Sequence, residues 1–311
     1  MKTIVLFTFL LLNYSVQCQV DKTLVNELIK KKVDTTNWTI NGISTVNFSQ
    51  VGLQNWTGGG NNTVAIQGLF TFNANYASVQ GFWENNLLFG YGLTKISTDP
   101  FRKSDDRIMF ISKGGLNENE YLRYTGLLDF RTQFTVGRNY TAPIDSLTGD
   151  FPKTSNLLAP AFMTTAIGME YTPNKLLSVL FAPLSGRFTI VNDQFLSDAG
   201  AFGVEPGKNL KAELGMFCNI LYTDEVMKNV NITSRLNLFS RYNGFSTMIV
   251  TWENMITMKV NSFLNVSLAT DVFYDQSIPI TREDATIGPA TQLRNIFSVG
   301  LGYAFSNVPT K

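Results

Sequence analysis

The feature that most constrains this chain is a two-residue alternation of side-chain type in its last long segment. From Asn295 onward, large apolar side chains occupy every second position, and the positions between them are small or polar. Because successive side chains of a β-strand point to opposite faces, this period predicts a strand with one wholly apolar face. The apolar positions are Phe297, Val299, Leu301, Tyr303 and Phe305, and the intervening ones are Ser298, Gly300, Gly302 and Ala304.

The same alternation recurs along the chain and predicts twelve strands, an even number, as closed single-chain barrels have. Most of the segments reach the roughly 9–11 residues that a tilted strand needs to cross a membrane, whereas strands of globular proteins have about 5–6. The predicted strands are 38–49, 64–76, 87–93, 105–113, 122–136, 158–171, 176–190, 209–223, 230–242, 247–260, 263–274 and 292–305.

The connections between these strands sort by length. Short ones follow even-numbered strands, at 77–81, 172–175, 224–229 and 261–262. Longer ones follow most odd-numbered strands, at 50–63, 96–104, 138–157, 191–208 and 275–291, and only the tight turn 243–246 breaks the rule. Membrane barrels place short turns on the periplasmic side and long loops outside. The chain is therefore predicted to be all-β, a single closed antiparallel transmembrane β-barrel of about twelve strands.

The polar face of the predicted strands carries charges of both signs. A charged side chain facing lipid costs about 2–4 kcal/mol at the bilayer midplane, so these side chains are expected to line the lumen. Two interpretations stay open: a paired network that fills a narrow barrel, and a weakly selective aqueous path. The candidate lumen-lining residues are Arg123, Asp129, Arg131, Gln133, Lys211, Glu213, Arg235, Arg241, Glu253, Lys259, Asp271 and Arg294.

The amino terminus predicts export. Residues 1–18 combine a charged start with a short apolar run and read as a secretory signal peptide cleaved after Cys18, with acylation of Cys18 as the less favoured alternative. Residues 19–36 are predicted to be a short periplasmic segment of helical period, either an amphipathic cap or a small plug, and residues 37–311 the barrel. No later segment has the roughly 18 consecutive apolar residues of a membrane-spanning helix.

Composition excludes several functions. The sequence has no histidine, which removes Ser–His and Cys–His catalysis and most zinc sites, so neither a catalytic residue nor a metal or cofactor is expected. A net charge of +1 gives no field for nucleic acid. The acidic stretch with Asp99, Asp105 and Asp106 is interpreted as a solvated loop in preference to a calcium site, because its spacing does not match an EF-hand.

Two resemblances concern longer patterns. Ser298, Gly300, Tyr303 and Phe305 fit the polar-x-Gly-x-x-aromatic-x-aromatic pattern, which resembles the closing-strand signal of outer-membrane barrels. The blocks 46–60, 130–137, 177–204 and 250–260 resemble a domain-of-unknown-function family of predicted outer-membrane β-barrels from diderm (Gram-negative) bacteria. The resemblance implies residence in the cell outer membrane, contact with its lipids and lipopolysaccharide, and insertion by the barrel-assembly machinery.

For function, the sequence favours porin-like passage of small solutes through a polar lumen. The alternative is a non-conducting structural or assembly subunit with an unidentified outer-membrane protein partner, which a neutral, paired lumen would suit. A membrane-embedded enzyme is disfavoured because no nucleophile–base pair can be identified.

Overall fold

The computed structural model describes residues 37–54, 61–140, 142–144, 146, 149–244, 248–261, 263–278, 280–281 and 286–307. The predicted signal peptide and the predicted segment 19–36 lie outside these residues. The described chain contains sixteen strands: β1 Trp38–Val51, β2 Thr63–Ala77, β3 Gly81–Ile96, β4 Arg102–Asn117, β5 Leu122–Thr132, β6 Gly137–Arg138, β7 Lys153–Ser155, β8 Ala161–Tyr171, β9 Leu177–Ile190, β10 Leu210–Met227, β11 Val230–Arg241, β12 Met248–Lys259, β13 Leu264–Tyr274, β14 Ile280–Thr281, β15 Ile287–Gly288 and β16 Gln292–Ser306.

Twelve of these strands form one closed antiparallel barrel, which confirms the predicted fold. Their order around the ring is β1-β16-β13-β12-β11-β10-β9-β8-β5-β4-β3-β2. The last strand closes the ring against the first, with Gly42 opposite Phe305 and Asn47 opposite Gly300. The short strands pair separately, β6 with β7 and β14 with β15.

Most strands have close to the predicted length, but β3, β4 and β5 differ. β3 and β4 each have 16 residues and extend well beyond the predicted segments 87–93 and 105–113. β5 ends at Thr132, where the pattern predicted 136. The reason is Asp106, whose carboxylate accepts the backbone N–H groups of Phe134 at 3.0 Å and Thr135 at 2.9 Å. Those two groups are thereby taken out of the ladder, and the strand stops.

The connections sort between the two ends of the barrel as predicted, except that the predicted longer loop 96–104 is only 97–101, the same length as the turn 172–176. At one end lie the strand termini that are joined by the short turns 78–80, 118–121, 172–176, 228–229 and 260–263. At the other end lie the strand termini that are joined by the remaining connections 52–62, 97–101, 133–160, 191–209, 242–247 and 275–291. These two ends are called the short-turn end and the long-loop end below.

The outer face of the barrel is apolar, with side chains such as Phe48, Leu214 and Phe297 more than 60% exposed. Two groups of polar side chains on this face satisfy one another. In the first, the Trp83 indole N–H donates to Ser112 Oγ at 2.9 Å, and Ser112 donates to Asn85 Oδ1 at 2.9 Å. The second group repeats this arrangement, and its members are Trp252, Ser234 and Asn254, at 3.0 and 2.7 Å.

The segment between β9 and β10 folds into a short helix, α1 Gln194–Asp198, followed by a 3-10 turn at Ala201–Gly203. Asp193 caps the helix by accepting the Leu196 N–H at 3.2 Å, and it also accepts hydrogen bonds from Lys153 and Asn156, both at 2.8 Å. Leu196 and Val204 pack with Ala159 and Val191 under this segment. In the part of the chain that is described, no helix is long and apolar enough to cross a membrane.

Candidate functional site

Ion pairs cross the middle of the lumen and form what we call the ion-pair belt. The belt contains four carboxylates and four guanidinium groups, so its charges balance. Its residues come from β4, β5, β11, β12, β13 and β16 because the alternation of each strand turns these side chains inward. They are Asp105, Asp129, Glu253, Asp271, Arg107, Arg131, Arg235 and Arg294.

One half of the belt is centred on Arg131. Its guanidinium contacts Asp129 at 2.8 Å and Glu253 at 2.5 Å, and Arg235 approaches Glu253 from β11 at 3.9 Å. Arg131 and Glu253 belong to β5 and β12, which have β8, β9, β10 and β11 between them on the shorter way round the ring. The contact therefore spans the lumen and does not link neighbouring strands.

The other half of the belt is a cycle of four residues. Arg294 contacts Asp271 at 2.5 Å and Asp105 at 3.3 Å, while Arg107 contacts the same two carboxylates at 3.7 and 3.5 Å. Arg107 on β4 and Asp271 on β13 are again separated by four strands, β3, β2, β1 and β16. Together the two halves therefore make two contacts across the lumen between strands that are not neighbours.

A cavity of about 1040 Å³ lies between the belt and the long-loop end; we call it the upper chamber. Belt side chains such as Asp129 and Arg294 form its floor, and the helical segment 196–202 forms part of its wall. The wall is largely apolar, since phenylalanines from β8, β10, β11 and β13 point inward. These residues are Phe162, Phe217, Phe239 and Phe273, with Phe202 from the helical segment.

A second cavity of about 510 Å³, the lower chamber, lies between the belt and the short-turn end. One wall consists of amides that bond to each other: Asn73 donates to Asn41 at 2.9 Å and accepts from Asn86 at 2.5 Å. Met109 and Ile111 line the cavity as well. Asp129, Asn237, Glu253 and Asp271 line both chambers, so the chambers meet at the belt.

Two further ion-pair groups flank the chambers. At the short-turn end, Lys113 contacts Glu170 at 2.5 Å and Glu84 at 2.9 Å, and Arg123 contacts Glu84 at 3.3 Å. Glu170 is fully buried and also accepts hydrogen bonds from Thr125 and Ser178. This group, two acids and two bases, is called the short-turn cluster.

The group at the long-loop end is called the mouth cluster. Arg187 contacts Asp275 at 3.2 Å, while Lys211 and Arg241 both contact Glu213, at 3.1 and 3.0 Å. The Lys211 ammonium also donates to Ser277 at 3.0 Å, which fastens the loop after β13 to the barrel wall. The cluster has three bases and two acids, so it carries one excess positive charge.

The residues predicted to line the lumen are distributed over these groups. Asp129, Arg131, Arg235, Glu253, Asp271 and Arg294 meet in the belt, Arg123 is in the short-turn cluster, and Lys211, Glu213 and Arg241 are in the mouth cluster. Gln133 lies past the end of β5, where it accepts from Lys103 and Ser155, each at 2.9 Å. Lys259 is exposed at the short-turn end of β12. The closing-strand residues Tyr303 and Phe305 are on the outer face.

Several charged residues of the belt and the two clusters were not predicted, among them Asp105, Arg107, Lys113, Glu170, Arg187 and Asp275. Arg107, Lys113 and Asp105 lie at alternate positions of β4, on one face of it, and all three fall within the predicted strand 105–113, so the alternation could have found them. Glu170 shares the inward positions of Phe162 and Thr164 on β8, whereas Arg187 faces inward on β9 only beyond the register shift at which Ile167↔Leu184 is followed by Met169↔Phe181. A β-bulge of this kind reverses the parity of the residues beyond it.

The interpretation of the acidic stretch as a solvated loop holds for Asp99, which lies in the connection 97–101, and is wrong for Asp105 and Asp106. Asp105 and Asp106 belong to β4, and Asp105 is only 5% exposed inside the belt. Asp106 is bound by the Lys103 ammonium at 3.0 Å and by backbone N–H groups of the following loop. Among the described residues, no cluster of Cys, Asp and Glu side chains could hold a metal ion.

Comparison with known proteins gives a family match over part of the chain and several solved structures of low similarity. A family model described as "Protein of unknown function (DUF3078)" matches residues 48–138, which confirms the predicted resemblance over that part of the chain. No curated protein matches the sequence.

Among solved structures, an outer membrane channel from Pseudomonas putida F1 is 9% identical over 87% of this chain and 96% of its own, with a TM-score of 0.37. The NanC porin is 6% identical over 86% of this chain and 100% of its own, with a TM-score of 0.37. The translocator domain of the autotransporter NalP from Neisseria meningitidis is 10% identical over 91% and 94%, with a TM-score of 0.36. At these TM-scores the similarities carry no information about function.

Proposed function

We infer that this chain is an outer-membrane barrel that passes small solutes through its lumen, with the ion-pair belt as the constriction. The observation that carries the proposal is the pair of chambers that meet at shared belt residues, Glu253 and Asp271 among them. Outer-membrane lipids, lipopolysaccharide and the barrel-assembly machinery are proposed as its surroundings and partners, because the apolar outer face and the strand lengths suit a bilayer.

Passage of a solute requires ion pairs of the belt to separate. Ion pairs exchange their partners when water enters, and a neutral belt places no net charge in the path of a solute. We therefore expect a small conductance without strong selectivity for either sign of ion. An enzyme is not proposed, because without histidine the Ser–His and Cys–His pairs cannot form.

The second candidate is a non-conducting structural subunit. The observation that favours it is the complete pairing of the belt, whose acids and bases are equal in number. In that case the belt would serve as permanent packing, and an outer-membrane partner would bind elsewhere on the barrel.

Planar-bilayer recordings distinguish the two candidates. The wild type is expected to conduct, and the variant Arg131→Gln/Glu253→Gln to conduct at least about 3-fold more, because the contact across the lumen is weakened without a change in net charge. Arg138→Gln is the control, since Arg138 pairs with Asp150 at 2.9 Å and does not line either chamber. A silent wild type in repeated insertions contradicts passage and favours the structural subunit.

A further inference from the structure

We propose that the upper chamber binds a small amphipathic anion, whose apolar body lies between phenylalanine rings and whose carboxylate binds Arg187. The inference rests on the proposed passage of solutes in that it names the class of solute. Binding can nevertheless be measured separately from conduction. Three observations support it: the wall of the chamber, the state of Arg187, and the local charge.

The wall suits a flat or chain-like apolar body. The chamber has about 1040 Å³, just above the upper end of the range of about 300–1000 Å³ that is usual for ligand sites. Phe162 and Phe273 lie with their ring centroids 6.4 Å apart, and Phe217 and Phe239 are nearly fully buried beside them. A purely aqueous path would not require this apolar surface around so large a volume.

Arg187 brings unused hydrogen-bond donors to this wall. It lines the chamber and is only 6% exposed. Its Nη1 atom is 3.2 Å from Asp275 but makes no hydrogen bond of normal geometry, and the guanidinium lies 5.4 Å from the centre of the Phe162 ring. A guanidinium has five N–H donors, and buried donors without acceptors are costly. A carboxylate can accept two of them side by side.

The local charge determines the sign of the ligand. The belt is neutral, whereas the mouth cluster has three bases, Arg187, Lys211 and Arg241, against Glu213 and Asp275. The oxygens of Asp275 are further engaged, because Oδ1 accepts the Ser277 N–H at 2.9 Å and its hydroxyl at 2.7 Å. The charged residues that line the chamber itself balance, with Arg131, Arg187 and Arg294 against Asp129, Glu253 and Asp271. The excess positive charge therefore lies in the mouth cluster around Arg187, where an anion would satisfy it.

The test uses three probes with the same ring and different heads: 2-naphthoate, 2-naphthylmethanol and 2-naphthylmethylammonium. Binding to the full-length protein in nanodiscs is measured by isothermal titration calorimetry, with empty nanodiscs as the blank. We expect 2-naphthoate to bind at least about 10-fold more tightly than the alcohol, and the ammonium probe to bind most weakly. Equal binding of the acid and the alcohol, or no binding of the acid at millimolar concentration, overturns the proposal.

A variant assigns the binding to Arg187. Arg187→Gln is expected to remove the preference for 2-naphthoate over 2-naphthylmethanol while the alcohol still binds; Arg138→Gln, which removes a charge elsewhere at the long-loop end, is expected to keep it. If Arg187→Gln retains the preference, the proposal is wrong; if the variant does not fold, the three probes on the wild type still decide. Conduction without binding contradicts only this inference, and binding without conduction contradicts only the proposed passage.

Discussion

The two chambers are built by the same strands and differ in how their inward positions are filled. Above the belt, five phenylalanines line the wall, and Phe217 packs with Phe239 and Ile249 in a cluster that extends to Ile111 and Leu127 of the lower chamber. Below the belt, one wall is a ladder of amides in which Asn73 bonds to Asn41 and Asn86. The comparison shows that inward residues of a barrel are stabilised either by packing or by hydrogen bonds, and that the charges lie at the boundary and at the two ends.

The difference has a functional consequence. A wall of amides offers donors and acceptors along its length and favours hydrated solutes, whereas a wall of phenylalanine favours dehydrated apolar groups. A solute that moves through both chambers would thus bind in the upper one and pass the lower one with its water. The predictions below test this division, beginning with the largest effect.

The largest expected effect is in the short-turn cluster, below the lower chamber. Glu170 is fully buried, so Glu170→Gln leaves the Lys113 ammonium poorly compensated and is expected to lower the free energy of unfolding by about 3–5 kcal/mol. Glu84→Gln removes another partner of the same Lys113, but the Glu84 side chain is 38% exposed and the loss should stay below about 1 kcal/mol. Denaturant unfolding in vesicles measures both. Equal losses would contradict the burial that separates these two carboxylates.

The next effect compares the chambers directly. Phe217→Ala removes a ring that is 4% exposed and is expected to cost about 3 kcal/mol, the low end for such a change, because the site already borders a cavity. Asn73→Ala removes one hydrogen bond to each of two amides and is expected to cost about 1–2 kcal/mol. The same unfolding assay applies. If the asparagine variant is the less stable of the two, the division between a packed and a hydrogen-bonded wall is wrong.

A smaller effect concerns the helical segment beside the upper chamber. Burial alone would raise the pKa of Asp193, but hydrogen bonds from Lys153, Asn156 and the Leu196 N–H outweigh it and hold the pKa below its usual value. A carboxylate with a lowered pKa stabilises the folded form above the unfolded pKa of about 3.9, and this contribution is lost as the pH falls through the folded pKa. Hydrogen-exchange protection of residues 194–203 should therefore be constant from about pH 8 to 5 and fall below about pH 4.

The control for this experiment is Asp198→Asn, since Asp198 is exposed on the same helix and bonds only to Gln194 among the contacts described. The control should leave both the protection and its pH dependence unchanged. Asp193→Asn should show weaker protection at neutral pH and little further change in acid. If Asp193→Asn still loses protection below about pH 4, the loss is caused by the protonation of another group.

Much of this architecture is predictable from the sequence, because the face to which a side chain points depends only on whether its position along the strand is odd or even. This odd or even position, the parity, is a local property. The alternation placed Asp129, Glu253 and Arg294 on one face of their strands, and the structure brings them to the belt. Parity cannot give the pairing of Arg131 with Glu253, which are 122 residues apart in the chain, because that contact depends on the diameter of the closed ring.

The sequence analysis did not assign the phenylalanines of the upper chamber to the lumen, because alternation alone does not say which face of a strand points inward. Phe217 shares the parity of the predicted lumen residues Lys211 and Glu213, but a large apolar side chain on a membrane strand reads first as lipid-facing. In β9 the inward parity changes along the strand, from Leu180 and Ala182 to Ser185 and Arg187, where the pairing with β10 shifts register. No periodicity in the sequence marks that shift.

The central claim, a belt that divides the lumen, is tested most directly by two matched cysteine substitutions. Thr251 lines the upper chamber and Thr71 the lower one. In a Cys218→Ser background, intact cells expressing Thr251→Cys or Thr71→Cys are treated with a membrane-impermeant thiol reagent, with the parent as the blank. We expect Thr251→Cys to react at least about 10-fold faster, and addition of Arg131→Gln/Glu253→Gln to raise the rate at position 71. Equal rates at the two positions in the intact belt, or a faster rate at position 71, would contradict the account.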